Sequence, residues 1–119
     1  MDLFAVDAGG GVLTEKPWGW ERLLASGGTL RLKVLSVKPG HRLSLQRHRF
    51  KSEVWWCGAA GGTVEIGGTV EALVQGRGYV VPPNTPHRLT GPCTILEATT
   101  GGGDWDIIRM EDDYGRKGV

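Results

Sequence analysis

Several things are scarce in this chain. Cysteine occurs twice in 119 residues, as Cys57 and Cys93, with no Cys-x-x-Cys spacing and no histidine-rich neighbourhood around either. That argues against a disulfide framework and makes two reduced, buried thiols the expectation. An excess of one charge is also missing, because 14 Lys and Arg against 13 Asp and Glu leave a net +1. A nucleic-acid footprint needs a clustered basic excess, so no nucleic-acid partner is expected, although a few inward-pointing cations can still serve one small anion. No apolar run approaches the roughly 18 residues that cross a bilayer, which argues against a membrane protein. The opening Met-Asp-Leu-Phe-Ala-Val-Asp has neither the basic start nor the long apolar stretch of a secretory signal. A soluble, cytoplasmic protein follows as the expectation. The length leaves room for one domain, which at this size buries roughly two thirds of its unfolded surface.

What is abundant is punctuation. There are 20 glycines and 6 prolines, and between them lie short segments of alternating apolar and polar residues. Leu30 to Val37 sets Leu30, Leu32 and Val34 on one parity and Arg31 and Lys33 on the other. Thr63 to Ile66 alternates as well, and Gly67-Gly68 after it is a two-residue hairpin signal. Val70 to Val74, Tyr79 to Val81, Cys93 to Ala98 and Ile107 to Met110 complete the set. Short strands at such spacing predict an all-β sandwich or barrel. Trp20 to Ala25 is the one segment that reads as a helical turn. Residues 1–14, with the run Gly9-Gly10-Gly11, read as an N-terminal arm or loosely packed edge strand, and 15–119 as the domain. Gly101-Gly102-Gly103 reads as a flexible surface loop, lacking the strand-then-helix setting of a phosphate-cradling motif.

Chemistry concentrates in two places. In an extended segment Ser44, Gln46 and His48 share one face, with Leu43, Leu45 and Arg47 on the other. A turn through Arg49 to Ser52 then leads to Glu53, which opens a strand containing Val54, Trp55 and Trp56. Much later, Pro82-Pro83-Asn84 reads as a tight turn delivering His87 onto a following strand. An amide, an imidazole and a carboxylate can thus converge through one hairpin, with a second imidazole arriving from another. Such donors suit zinc, iron, nickel, manganese or cobalt. From spacing alone, histidines satisfied by structural hydrogen bonds remain an equal alternative.

Gly40 followed after five residues by Gln46-x-His48, and then Glu53, resembles the first cupin motif, with Gln in place of its usual first His. Gly76 followed after five residues by Pro82-Pro83-Asn84-x-x-His87 resembles the second. More narrowly, Lys16-Pro17-Trp18-Gly19, Val37-Lys38-Pro39-Gly40, Leu43-Ser44-Leu45-Gln46-x-His48, Pro82 to Leu89 and Arg109-x-Glu111-Asp112-Asp113-Tyr114-Gly115-Arg116 resemble type II phosphomannose isomerases. These occur alone or as the C-terminal domain of bifunctional mannose-1-phosphate guanylyltransferases. The resemblance runs from about Lys16 to Arg116. It departs at Arg49, Phe50, Lys51 and Val54, which stand where the family often has two His, an Arg and a further His.

The resemblance implies a single-domain cupin, that is, a double-stranded β-helix or jelly-roll barrel. It implies one divalent transition ion, zinc foremost, with Gln46, His48, Glu53 and His87 as ligands. The implied activity is aldose–ketose isomerisation of a phosphorylated sugar such as mannose 6-phosphate. Lys33 matches a family lysine and, with Glu97, is a candidate catalytic base; for Lys33 a phosphate contact or a solvent-facing strand residue are the competing readings. Arg88 and Arg116 are candidates to hold the phosphate, since guanidinium forks fit its geometry. For Arg116 the competing reading is an ion pair with the Glu111-Asp112-Asp113 cluster. Trp55 shares parity with Glu53 and is expected to face inward; Trp56 faces the other way, where a second subunit of a homodimer would cover it. The rival functions are a non-catalytic metal cupin that binds a sugar or serves as a regulatory module, and another cupin reaction such as that of an oxygenase or a nucleotide-sugar epimerase.

Overall fold

The computed structural model describes residues 11–118, as eleven strands: β1 (Val12–Lys16), β2 (Gly19–Gly27), β3 (Leu30–Val37), β4 (Leu45–Arg47), β5 (Ser52–Ala59), β6 (Thr63–Ile66), β7 (Thr69–Ala72), β8 (Gly78–Val81), β9 (His87–Thr90), β10 (Cys93–Thr100) and β11 (Ile108–Glu111). Six form one sheet in the order β1-β2-β3-β10-β5-β8, and five form a second in the order β11-β4-β9-β6-β7. All pairings are antiparallel. Among the described residues there is no helix, and hence none long and apolar enough to cross a membrane.

Alternation explains which way each side chain faces. On β10, Cys93, Ile95, Glu97 and Thr99 are buried, while the residues between them are more exposed. Glu53, Trp55 and Cys57 form the inward row of β5, leaving Val54 and Trp56 outside. Register then sorts the interior into two ends. Leu35 lies opposite Ile95, and Ile95 opposite Cys57, within the apolar core. A step further along, Lys33 lies opposite Glu97 and Thr99 opposite Glu53. One end of the barrel is therefore hydrocarbon and the other carries charge. Both cysteines are free and sit in the apolar end.

Most expected strands are found, and Gly67-Gly68 forms the two-residue hairpin between β6 and β7. Both glycines have positive φ, +61° and +85°, as that turn requires. The helical reading of Trp20 to Ala25 is corrected. That segment lies inside β2, paired with β1 on one side and β3 on the other, with a register shift between Leu23 and Ala25. The bulge interrupts the two-residue alternation there, which is why the pattern looked helical. Strand β1 spans Val12 to Lys16 at the sheet edge; of the arm, residues 1–10 lie outside the described part.

Candidate functional site

Gln46 on β4 pairs directly with His87 on β9, so their side chains project on the same side of the second sheet. The turn at Pro82-Pro83-Asn84 is closed by Asn84 in the left-handed region (φ 58°), its N–H donating to the His48 carbonyl at 2.6 Å. The two loops that carry the imidazoles are thus tied to each other. From the facing sheet, β5 supplies Glu53. The result is a buried triad whose donor atoms all lie within 4.8 Å of one another: His48, Glu53 and His87. His48 Nε2 is 3.6 Å from Glu53 Oε1, and His87 Nε2 is 3.2 Å from Glu53 Oε2.

The donor set fits a metal ion. His48 Nε2, His87 Nε2 and Glu53 Oε2 are all buried without a well-formed hydrogen bond, an arrangement that costs free energy unless something else satisfies the atoms. Each imidazole is also oriented by its other nitrogen. Nδ1 of His87 contacts the Thr85 carbonyl at 2.7 Å, and Nδ1 of His48 contacts the Asp106 carbonyl. A carbonyl can only accept, so Nδ1 carries the proton and Nε2 presents its lone pair. Burial lowers the His48 pKa and keeps the ring neutral. Burial alone would raise the Glu53 pKa; the positive charge that His87 and His48 carry when protonated, with Lys51 beside them, draws it below the usual value, and a divalent ion would take the place of those protons. Neutral imidazoles and an ionised carboxylate are the protonation states that metal binding demands. Gln46 borders the same cavity, one lone pair of its Oε1 taken by the Ser44 hydroxyl at 2.8 Å.

Beside the triad opens a cavity of about 140 Å³. Glu97 lines it and receives the Trp55 indole N–H on Oε2 at 3.1 Å. Burial, reinforced by the Glu53 charge, pushes the Glu97 pKa up to about 8. Lys33 also points inward, with Nζ 3.5 Å from Glu21 and 3.2 Å from Asp104. Burial disfavours its charge, but Glu21, Asp104 and Glu97 more than offset this and its pKa is raised. Lys33 is therefore a held ammonium, which decides against a solvent-facing lysine.

For Arg116 the ion pair with the acidic cluster is found. That residue lines the cavity while its guanidinium bonds Asp112 twice, at 3.0 and 2.9 Å. Arg88 does not line the cavity. As the neighbour of an inward ligand it projects to the other side of β9, donating from Nε to the Leu43 carbonyl at 2.9 Å and lying 3.4 Å from Glu111. Sequence reasoning passed over Arg109, which lines the cavity; burial and the adjacent Arg116 charge lower its pKa. Lys51 lines the cavity too, whereas Arg49, Phe50 and Val54 are exposed and do not. Three of the four departures from the family pattern thus lie off the cavity wall.

Two antiparallel sheets closed around a His–Glu–His cluster define a cupin barrel. A cupin-2 domain from Rhodospirillum rubrum matches with a TM-score of 0.62 at 21% identity, over 73% of this chain and 67% of that one. A Streptomyces Pac13 variant solved with uridine matches at 0.77 and 13% identity over 93% of both chains. At such identities the likeness is one of fold. The chain belongs to the family described as mannose-6-phosphate isomerase C-terminal, whose pattern matches residues 12–112. The xanthan biosynthesis protein XanB of Xanthomonas campestris pv. campestris is 35% identical over 109 residues, covering 85% of this chain and 23% of that protein. The mannose-1-phosphate guanylyltransferase ManC of Salmonella typhimurium is 33% identical over 107 residues, covering 85% and 22%. This chain spans under a quarter of the length of these relatives.

Proposed function

We propose that this chain is a metal-dependent aldose–ketose isomerase acting on a phosphorylated hexose of the mannose 6-phosphate kind. One juxtaposition carries the reading: two members of the His–Glu–His donor set, His48 and Glu53, border a small polar cavity together with a buried carboxyl of raised pKa and a pair of guanidiniums, and His87 completes the set behind them. His48, Glu53 and His87, with Gln46 as fourth donor, would hold a divalent transition ion, zinc foremost and manganese, cobalt, nickel or iron as the others. That ion would supply Lewis-acid polarisation of the sugar carbonyl. Glu97 is the group that takes the proton from the carbon beside the carbonyl and returns it to the carbonyl carbon, while the hydroxyl proton of the first-named carbon passes to the former carbonyl oxygen. Lys33, already protonated, cannot accept that proton, and its role becomes holding an oxygen of the substrate. Arg109 and Arg116, with Lys16 and Lys51 lining the same cavity, take the phosphate.

A second reading, a metal cupin that binds a sugar without turnover, draws on Lys51, which stands where the family has an arginine; a lysine does not reproduce a guanidinium fork. For either reading we include a homodimer, formed over the outer face of β5 and β8, where Val54, Trp56 and Val80 are exposed side by side. Loading the chain with zinc and supplying mannose 6-phosphate separates the two. Appearance of fructose 6-phosphate supports the isomerase; calorimetric binding without conversion supports the module.

A further inference from the structure

The loop between β10 and β11 carries a buried acid, Asp106, that does not line the cavity. The Asp106 side chain is buried (4% exposed). Its Oδ1 accepts the backbone N–H of Arg49 at 2.8 Å, and its Oδ2 accepts those of Phe50 and Lys51, each at 2.9 Å. Its own backbone carbonyl accepts Nδ1–H of His48. One residue therefore grips the whole turn that connects His48 to the strand bearing Glu53. Lys51, at the end of that turn, lines the cavity.

The glycines before it are part of the same device. A Cβ on Gly102 would sit 2.5 Å from Asp106 Oδ2 and 3.2 Å from Asp106 Cβ. Gly101 has φ +94°, and a Cβ there would run into the Phe50 carbonyl. The run that reads as a loose surface loop is instead packed against the turn, and Gly102 is buried. Only residues without a Cβ let Asp106 approach close enough to collect three amides.

We propose that Asp106 is a positioning residue: by gathering the amides of residues 49–51 it holds His48 in the Nδ1–H tautomer, with Nε2 aimed at Glu53 and His87. Without its carboxylate three backbone donors lose their acceptor. The turn must then shift to find water, and the carbonyl of residue 106 and the His48 ring lose their alignment. The consequence for metal affinity rests on the metal reading of the triad; the consequence for the tautomer does not. Loss of a group that orients a metal-bound histidine typically weakens binding by roughly 10–100-fold.

The test uses Asp106→Ala, Asp106→Asn and Gly102→Ala, with Gly27→Ala as control, since a Cβ at Gly27 meets nothing within 4 Å. Imidazole nitrogen shifts of the metal-free protein report each tautomer, and competition with a chromophoric chelator reports zinc affinity. Wild type and Gly27→Ala should show one His48 tautomer, protonated on Nδ1. Asp106→Ala and Gly102→Ala should show a mixture and bind zinc roughly 10–100-fold more weakly. Asp106→Asn, which keeps one acceptor oxygen, should fall between. His87, held by Thr85 in a different loop, should keep its tautomer throughout, which separates local misplacement from general unfolding. Should Asp106→Ala fail to fold, Asp106→Asn and Gly102→Ala carry the same comparison. A mixed His48 tautomer in a protein whose wild type binds no zinc supports the positioning role and refutes the metal reading. A single, unchanged His48 tautomer in the folded variants overturns the proposal.

Discussion

Trp55 on β5 and Glu97 on β10 face each other in register, and the indole N–H donates to Glu97 Oε2 at 3.1 Å. The bond favours the carboxylate, while burial and the charge on Glu53 oppose it and prevail, setting the Glu97 pKa at about 8. Trp55→Phe keeps the ring and removes the donor. A charged hydrogen bond of about 1.5–3 kcal/mol corresponds to roughly one to two pH units. The rising limb of kcat/KM against pH should therefore move up by that amount. Lys33→Met should lower activity and also move the limb up, because the Lys33 ammonium holds the Glu97 pKa down. If the limb stays in place in Trp55→Phe, the titrating base is not Glu97.

The same carboxyl links pH to stability in the metal-free protein. Its pKa is 4.5 in the ordinary state and about 8 in the folded one. Between those values the folded chain binds more protons than the unfolded chain, so this contribution to stability is full below pH 4.5 and is lost as pH rises towards 8. Glu97→Gln cannot titrate. Urea denaturation in the presence of a chelator should show wild type losing stability relative to Glu97→Gln across that window. Parallel pH dependences for the two proteins would contradict the assignment.

The arginines should divide by location. Arg109→Ala and Arg116→Ala should raise KM for a hexose phosphate with zinc content intact, because a phosphate clamp binds ground state and transition state alike. Arg88→Ala should leave KM unchanged and instead cost about 1.5–3 kcal/mol of stability for the buried charged hydrogen bond to the Leu43 carbonyl. Steady-state kinetics paired with thermal melts distinguish these outcomes.

At the triad, Glu53→Gln and His87→Ala each remove a donor rather than its support. Zinc affinity should fall by more than the roughly 100-fold upper range for an orienting partner. Elemental analysis after gel filtration should find zinc in the wild type and none in either variant.

The strands were legible where burial alternates along them, as on Cys93 to Thr100, and the hairpin because Gly67-Gly68 tolerates left-handed backbone at both positions. The helical reading failed at β2 because a bulge after Leu23 sets apolar residues side by side. Spacing brought His48, Glu53 and His87 towards one site, since a hairpin and a proline turn each deliver one side of it, but left structural histidines an equal reading; the resemblance to the two cupin motifs named them as ligands. The outward direction of Arg88 follows from parity with His87, a two-residue rule that outweighs its nearness in sequence. Asp106 left no trace because its partners are backbone amides more than fifty residues away, which no side-chain pattern records. The closeness of Arg109 to Arg116 depends on how the C-terminal segment folds back over the barrel. There Arg42 pairs with Asp113 at 2.7 Å and His41 stacks on Tyr114.

The most direct test of the isomerase account is a single NMR experiment in deuterium oxide, with zinc-loaded protein, mannose 6-phosphate and, in a parallel tube, excess chelator. The account predicts that fructose 6-phosphate accumulates towards equilibrium only in the metal-loaded tube. Glu97→Gln should abolish the conversion while still binding zinc. A metal-loaded wild type carrying one ion per chain that leaves mannose 6-phosphate and every other hexose phosphate unchanged would contradict it.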